Sequence, residues 1–304
     1  MPNLITHYFF AEEVLNKLPE TTRKLIERNR NAYNLGSIGP DFLYTLREIG
    51  DVSARYSNRM HFNHVYETFE KSVIHLNRTR NETQTAYMLG LMTHYVADHT
   101  LHPLVYFLAE EGLTRDYPAE YQMNIHNIIE SALDEWVLKE RNGLDPRGFS
   151  SLYIGEGPHK VKKEIGALYR EVINKVYRYD VPVIKIEFSF IISNFFGILW
   201  KDKYGIKKKF FSWAEDAFDL KKSVSSLLRP PVGYGKIDLF NEDRRYFNIV
   251  RNEESLTNKN MIELDEIALE KSVDYIADFM HAIETRGLLD RADFSINYEG
   301  IRTY

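Results

Sequence analysis

Cysteine is absent from the 304 residues, which excludes disulfides, thiolate zinc sites and a cysteine nucleophile. Any metal site must draw on His, Asp and Glu. A basic excess is missing too. Lys and Arg number 39 against 44 Asp and Glu, a formal net charge of -5, so composition gives no reason to expect bulk nucleic-acid binding. An anionic substrate would need a local positive charge. The most apolar run, "FSFIISNFFGILW" from 188 to 200, falls short of the ~20 residues that span a bilayer. It reads as a buried helix in preference to a membrane-surface element, although the "KDKYGIKKKFF" that follows suits a transient membrane-surface contact. The opening "MPNLITHYFFAEEVLNKL" has none of the regions of a secretory signal, and a cytoplasmic location is expected.

Strand alternation and Asn-Gly hairpins are scarce, whereas apolar residues recur at helical spacing. Helices are expected over 4–18, 21–28, 62–75, 83–100, 119–140, 159–177, 186–201 and 264–284. "GSIGPDF", 36–42, reads as a loop because its Gly and Pro residues break a helix. The stretch 229–260 is rich in turn residues and carries enough Leu, Phe, Tyr and Ile to wrap over the helices. The expectation is one all-α domain over 1–304, with a metal-binding half at 1–140 and a helical C-terminal half at 150–304.

Eight of the ten histidines lie at or before position 126: His7, His61, His64, His75, His94, His99, His102 and His126. Within "GLMTHYVADHTLHP", His94 and Asp98 are four residues apart, about 400° of rotation and 6 Å of rise, so one metal can take both. "HNIIE" repeats that spacing with His126 and Glu130. Pro103 disfavours the α conformation at His102, which is expected to end the helix and swing toward a neighbouring ion. His99, about 100° round from Asp98, is expected to point elsewhere. Further candidates are His7 after Thr6, Asp41 in the Gly/Pro loop, and the i, i+3 pair His61 and His64 in "RMHFNHVYE". His75, His159 and His281 are assigned to packing or solvent. A lone His in an apolar pattern is more often a hydrogen-bonded core residue. Two HxxxD/E pairs with additional histidines in one half of a cysteine-free chain reverse that preference.

Taken in order, "ITHYFFAEEVL", "GSIGPDF", "HF", "YMLGLMTHYVADHTLHP" and "HNIIESALDEW" resemble the zinc-dependent phospholipase C family, an all-helical trinuclear-zinc fold shared with P1-type nucleases, over roughly the first 140 residues. The resemblance implies a multi-helix phospholipase C/P1 nuclease-like bundle holding two or three Zn2+ ions. It implies one zinc on Asp41, His61, His94 and Asp98, and a second on His102, His126 and Glu130. A third would use His7 with Asp98 bridging to the first. In secreted relatives the mature N-terminus completes that third site; here there is no N-terminal tryptophan, and removal of Met1 would be one route to a free amino group. His64 could replace His61, but the "HF" match favours His61.

Two close divalent cations can lower the pKa of a shared water and clamp phosphoryl oxygens, supplying the positive field that the chain otherwise lacks. The expected function is a zinc-dependent hydrolase acting on a phosphodiester, most readily a phospholipid headgroup, with Asp41 both a ligand and the residue that orients or deprotonates the attacking water. The alternatives are a nuclease-type phosphodiesterase of the same fold and a non-catalytic protein whose metals only hold helices together. An HD-type site is excluded because Asp98-His99 runs in the reverse order, and a ferritin-like site because the single ExxH spans a Gly-Pro turn.

Overall fold

Helix α6, Glu82–Phe107, is apolar almost all round and almost wholly buried, the pattern of a helix that other elements surround. The structure, a computed structural model, describes residues 4–49, 54–112, 125–146, 149, 157–200, 206–217 and 238–303. Preceding α6 are α1 (Leu4–Lys17), α2 (Glu20–Arg28), α3 (Arg30–Ser37), a 3-10 segment (Gly39–Ile49), α4 (Ala54–Phe62) and α5 (Val65–Thr79). Following it are α7 (Ile125–Trp136), α8 (His159–Leu168), α9 (Asn174–Tyr177), α10 (Val183–Trp200), α11 (Ile206–Ala217) and α12 (Met261–Thr285). Among the described residues the strands are β1 (Phe247–Asn248) and β2 (Leu256–Thr257), which pair antiparallel. The fold is all-α, as expected.

Helix α6 packs on α1, α3, α7 and α12. It crosses α3 closely: a Cβ on Gly36 would lie 2.1 Å from the Tyr87 carbonyl oxygen, and one on Gly90 2.1 Å from that of Tyr33. One core draws Phe10 and Val14 of α1, Tyr87 and Leu91 of α6, and Phe279 of α12 together. A second joins Leu104 and Val105 of α6 to Ile129 of α7 and to Leu239 and Phe247, so the part of the expected wrapping stretch that is described, 238–260, does pack over the helices. Asn260 and Glu263 form a reciprocal capping box at the start of α12.

Several sequence expectations need correction. The "GSIGPDF" stretch is not a loop: Gly36 lies within α3, where its missing side chain permits the crossing, and Pro40 sits in the first turn of a 3-10 segment, where a lost N–H costs nothing. The expected helix 62–75 is broken at His64, whose φ of 57° separates α4 from α5, so His61 and His64 do not share a helical face. Helix α6 does not end at His102 but continues through Pro103, with Leu104 and Val105 anchored in the second core. Tertiary burial outweighs the local preference. Residues 119–124 of the expected 119–140 helix, Lys201 and positions 229–237 lie outside the described residues. The apolar run is not wholly buried: its Phe188 and Ile191 are exposed and continue a stripe from Ile184 on α10 at i, i+4, i+7 spacing, which Ile206, Phe210 and Trp213 repeat on α11. Phe190 faces inward and stacks on Phe42, next to Asp41, with ring centroids 3.9 Å apart. No helix among the described residues is long and apolar enough to cross a membrane.

Candidate metal centre

Thr6 explains why a "TH" pair opens the chain's first helix. Asp134 on α7 accepts the Thr6 main-chain N–H (2.8 Å) and hydroxyl (2.6 Å), capping α1 from another helix. The next residue, His7, is thereby aimed at Asp98 of α6, with Nε2 3.1 Å from Oδ1. On the other carboxylate oxygen, Oδ2, converge His94 Nε2 at 3.1 Å and His61 Nε2, from the end of α4, at 3.8 Å. Asp41 Oδ1 lies 3.1 Å from His61 Nε2. Gly39 makes room for this: its φ is +56°, and a Cβ there would sit 2.2 Å from the His94 ring.

His102 stands one turn further along α6, its Nε2 3.6 Å from Asp98 Oδ1 and 3.3 Å from Glu130 Oε1. His126 Nε2 is 2.9 Å from the same Glu130 oxygen. The i, i+4 pairs on α6 and α7 are therefore brought together. Ligand atoms close within 4.8 Å of one another form three overlapping or adjacent groups: His7, Asp41, His94; His61, His94, Asp98; and His102, His126, Glu130. The first two share His94. Residues 1–3, which precede His7 and would carry an N-terminal ligand for the third ion, lie outside the described residues.

The remaining histidines are elsewhere. His64 is about half exposed, 3.8 Å from Glu67. His99 donates its Nδ1–H to the Tyr95 carbonyl (3.0 Å) and lies against the Tyr275 ring, outside the three ligand groups. His75 contacts Gln84, while His159 and His281 are exposed.

Electrostatically the groups support one another. Burial pushes the Asp98 carboxyl up, but the charges of His102, His94 and His7 outweigh it and hold it well below the carboxylate range. Asp41 is likewise raised by burial and lowered further by His61 and His94, with a net fall. Burial lowers His61, yet Asp41 overcomes this and lifts it to about 9. His102 ends well above its ordinary value because Asp98 and Glu130 outweigh burial, and Glu130 is depressed by His126 and His102. For His94 burial wins, and its pKa falls.

Do these residues fit a metal ion? His61, His94 and His102 each place Nδ1 against a main-chain carbonyl, those of Ser57 (2.9 Å), Ser37 (3.1 Å) and Tyr298 (2.8 Å). A carbonyl can only accept, so Nδ1 carries a proton, and Nε2, which faces the carboxylates, is the nitrogen left to give its lone pair to an ion in place of a proton, the arrangement that second-shell partners impose on zinc-binding histidines. Asp41 Oδ1 and His94 Nε2 are buried without a hydrogen-bond partner among the described residues: their carboxylate-imidazole approaches are short but misaligned. Two ligands about 2.05 Å from a tetrahedral zinc are about 3.3 Å apart, within the 3.1–3.6 Å spread of His94, His102 and Glu130 contacts seen here. The all-N/O donor set fits zinc.

The family model for zinc-dependent phospholipase C matches residues 6–189. The chain belongs to the zinc-dependent phospholipase C family. Its match takes in all eight clustered residues and runs beyond the first 140 residues, where the motifs that carry the resemblance lie. No significant match is found among curated proteins or among solved structures.

Sequence reasoning missed the groups that orient these side chains. Asp134 sits inside the quoted "HNIIESALDEW" and carried a signal, an acidic residue on the same α7 face as Glu130. The carbonyls of Ser37, Ser57 and Tyr298 carried none.

Proposed function

We propose that this chain is a zinc-dependent phosphodiester hydrolase of phospholipase C type. The observation that supports it most is the convergence of His7, Asp41, His61, His94, Asp98, His102, His126 and Glu130 from five separate stretches into one buried N/O cluster. His61, His94, Asp98 and Asp41 would hold one ion; His102, His126 and Glu130 a second; His7 with Asp98 a third. Zinc when bound supplies Lewis acidity that brings a water pKa toward neutrality and positive charge for phosphoryl oxygens.

The chain's own residues do the rest. The most exposed side chains of the cluster are His126, at 27%, and Asp41, at 19%, so water reaches a ligand of each of the first two proposed ions. Asp41 is ionised at neutral pH and accepts a hydrogen bond from the incoming water. A carboxylate held that low is a weak base, so orientation is its larger contribution. Leu101, Val105, Leu133 and Met261 line a cavity of about 300 Å³ that reaches His7, Asp98 and His102. An apolar wall beside the proposed metal ligands favours a phospholipid over a nucleic acid. The exposed stripes of α10 and α11, the latter next to three consecutive lysines in sequence, suit contact with a lipid surface.

Incubation with phosphatidylcholine vesicles and, separately, single-stranded DNA, with and without chelator, tests the reading. Release of the phosphorylated headgroup, abolished by chelator, is expected. Degradation of DNA with no attack on lipid would replace the phospholipase reading by the nuclease one.

A further inference from the structure

The C-terminal segment after α12 lies beyond the 6–189 span of the family match, yet it enters the metal centre. Ile296 and Arg302 pair as an isolated antiparallel bridge, and Asn297 closes the turn between them. The Asn297 N–H donates to the Ile301 carbonyl (2.9 Å), and its side-chain oxygen accepts the N–H groups of Glu299 (3.0 Å) and Ile301 (3.1 Å). Gly300, φ +72°, presses on α6: a Cβ there would lie 2.5 Å from Pro103 Cγ. The Arg251 N–H donates to the Gly300 carbonyl (2.8 Å) and fixes the turn from the other side.

Held in this way, the tip of the turn touches two ligand-bearing helices, α4 and α6, and reaches a third, α7, through Tyr106. Tyr298 donates its N–H to the His61 carbonyl at the end of α4 (3.2 Å) and accepts His102 Nδ1–H of α6 (2.8 Å). Buried Glu299 accepts the Tyr106 hydroxyl (2.5 Å). The Tyr106 ring in turn lies 4.6 Å, centroid to centroid, from the His126 ring of α7, and the Arg251 guanidinium carbon stands 3.5 Å from the Tyr106 centroid.

We infer that the Asn297–Ile301 turn is a positioning element of the metal centre. The Tyr298 carbonyl keeps the His102 proton on Nδ1 and so leaves Nε2, on the Glu130 side, to an ion, and Glu299 acts through Tyr106 to hold the His126 ring. This rests on the reading that His102, His126 and Glu130 hold an ion. A turn with these contacts does more than cover the site, because it joins the two imidazoles of one ligand group to a single rigid backbone unit.

The test uses the full chain, with zinc affinity read by chelator competition and ligand geometry by the visible spectrum of the cobalt-substituted protein. Glu299→Ala and Gly300→Ala are expected to weaken one zinc by about 10–100-fold and to change the cobalt spectrum, the usual cost of removing an outer-shell partner. Glu299→Gln, which keeps an acceptor for Tyr106, is expected to restore most of that affinity, and Tyr106→Phe to lose it. Arg302→Ala, which breaks the pairing with Glu253 and Ser295 at the far end of the segment, is expected to lower thermal stability and leave zinc affinity unchanged. The inference is overturned if Glu299→Ala, Gly300→Ala and Tyr106→Phe all keep wild-type affinity and spectrum while His102→Ala loses a zinc. Equal zinc binding by wild type and His102→Ala would overturn the ligand reading and this inference with it.

Discussion

Asp98 Oδ1 stands 3.1 Å from His7 Nε2, joining the first helix of the chain to the middle of its longest one. The other oxygen of the same carboxylate faces His94 and His61. One residue thus connects the first and third proposed ions, and Asp98→Asn, which keeps the shape and removes the charge, is expected to lower zinc content by more than one ion per chain. His7→Ala is expected to remove at most one. Elemental analysis of the purified proteins separates the two outcomes; equal losses would show that Asp98 does not bridge.

His61 and His64 are three residues apart and structurally distinct. His61 is buried against Asp41, while His64 is half exposed in a left-handed break. His61→Ala is expected to lose zinc and phosphodiester hydrolysis together, and His64→Ala to retain both. Loss on substituting His64 alone would reverse the assignment.

Gly39 and Gly143 share a positive φ, and a Cβ meets His94 only at the first. Gly143→Ala is expected to cost about 1–2 kcal/mol of stability from the left-handed conformation, with zinc affinity unchanged. Gly39→Ala adds displacement of the His94 ring and is expected to weaken zinc by more than tenfold. Parallel urea unfolding and chelator titration measure both.

His99 gives a pH signature. Burial and the neighbouring Lys271 push it down to about 3, against smaller opposing effects of the Tyr95 carbonyl and Asp98. Its pKa is depressed on folding, so its contribution to stability is present above the unfolded value of about 6.5 and is lost as pH falls from there toward 3, because only the unfolded chain takes up the proton. Chelated wild type should lose stability over this window faster than chelated His99→Gln, as read by thermal unfolding at stepped pH. Parallel profiles would contradict the buried neutral imidazole.

Much of the site is legible in the chain itself, because α-helical geometry is local. Four-residue spacing puts His94 with Asp98 and His126 with Glu130 whatever surrounds them, and the lack of cysteine restricts the donors to nitrogen and oxygen. Helix boundaries near Gly36, His64 and Pro103 were not legible, since each is decided by a neighbour: the close passage of α3 over α6, the end of α4, and the burial of Leu104 and Val105. The orienting carbonyls of Ser37, Ser57 and Tyr298 are main-chain groups that every residue possesses, so no side-chain pattern marks them. Nor does any local pattern bring Glu299 to Tyr106, 193 positions earlier. Periodicity sets which residues share a face; only packing across α1, α4, α6, α7 and the C-terminal turn decides which faces meet, because side-chain contacts between distant segments depend on the whole core that holds them.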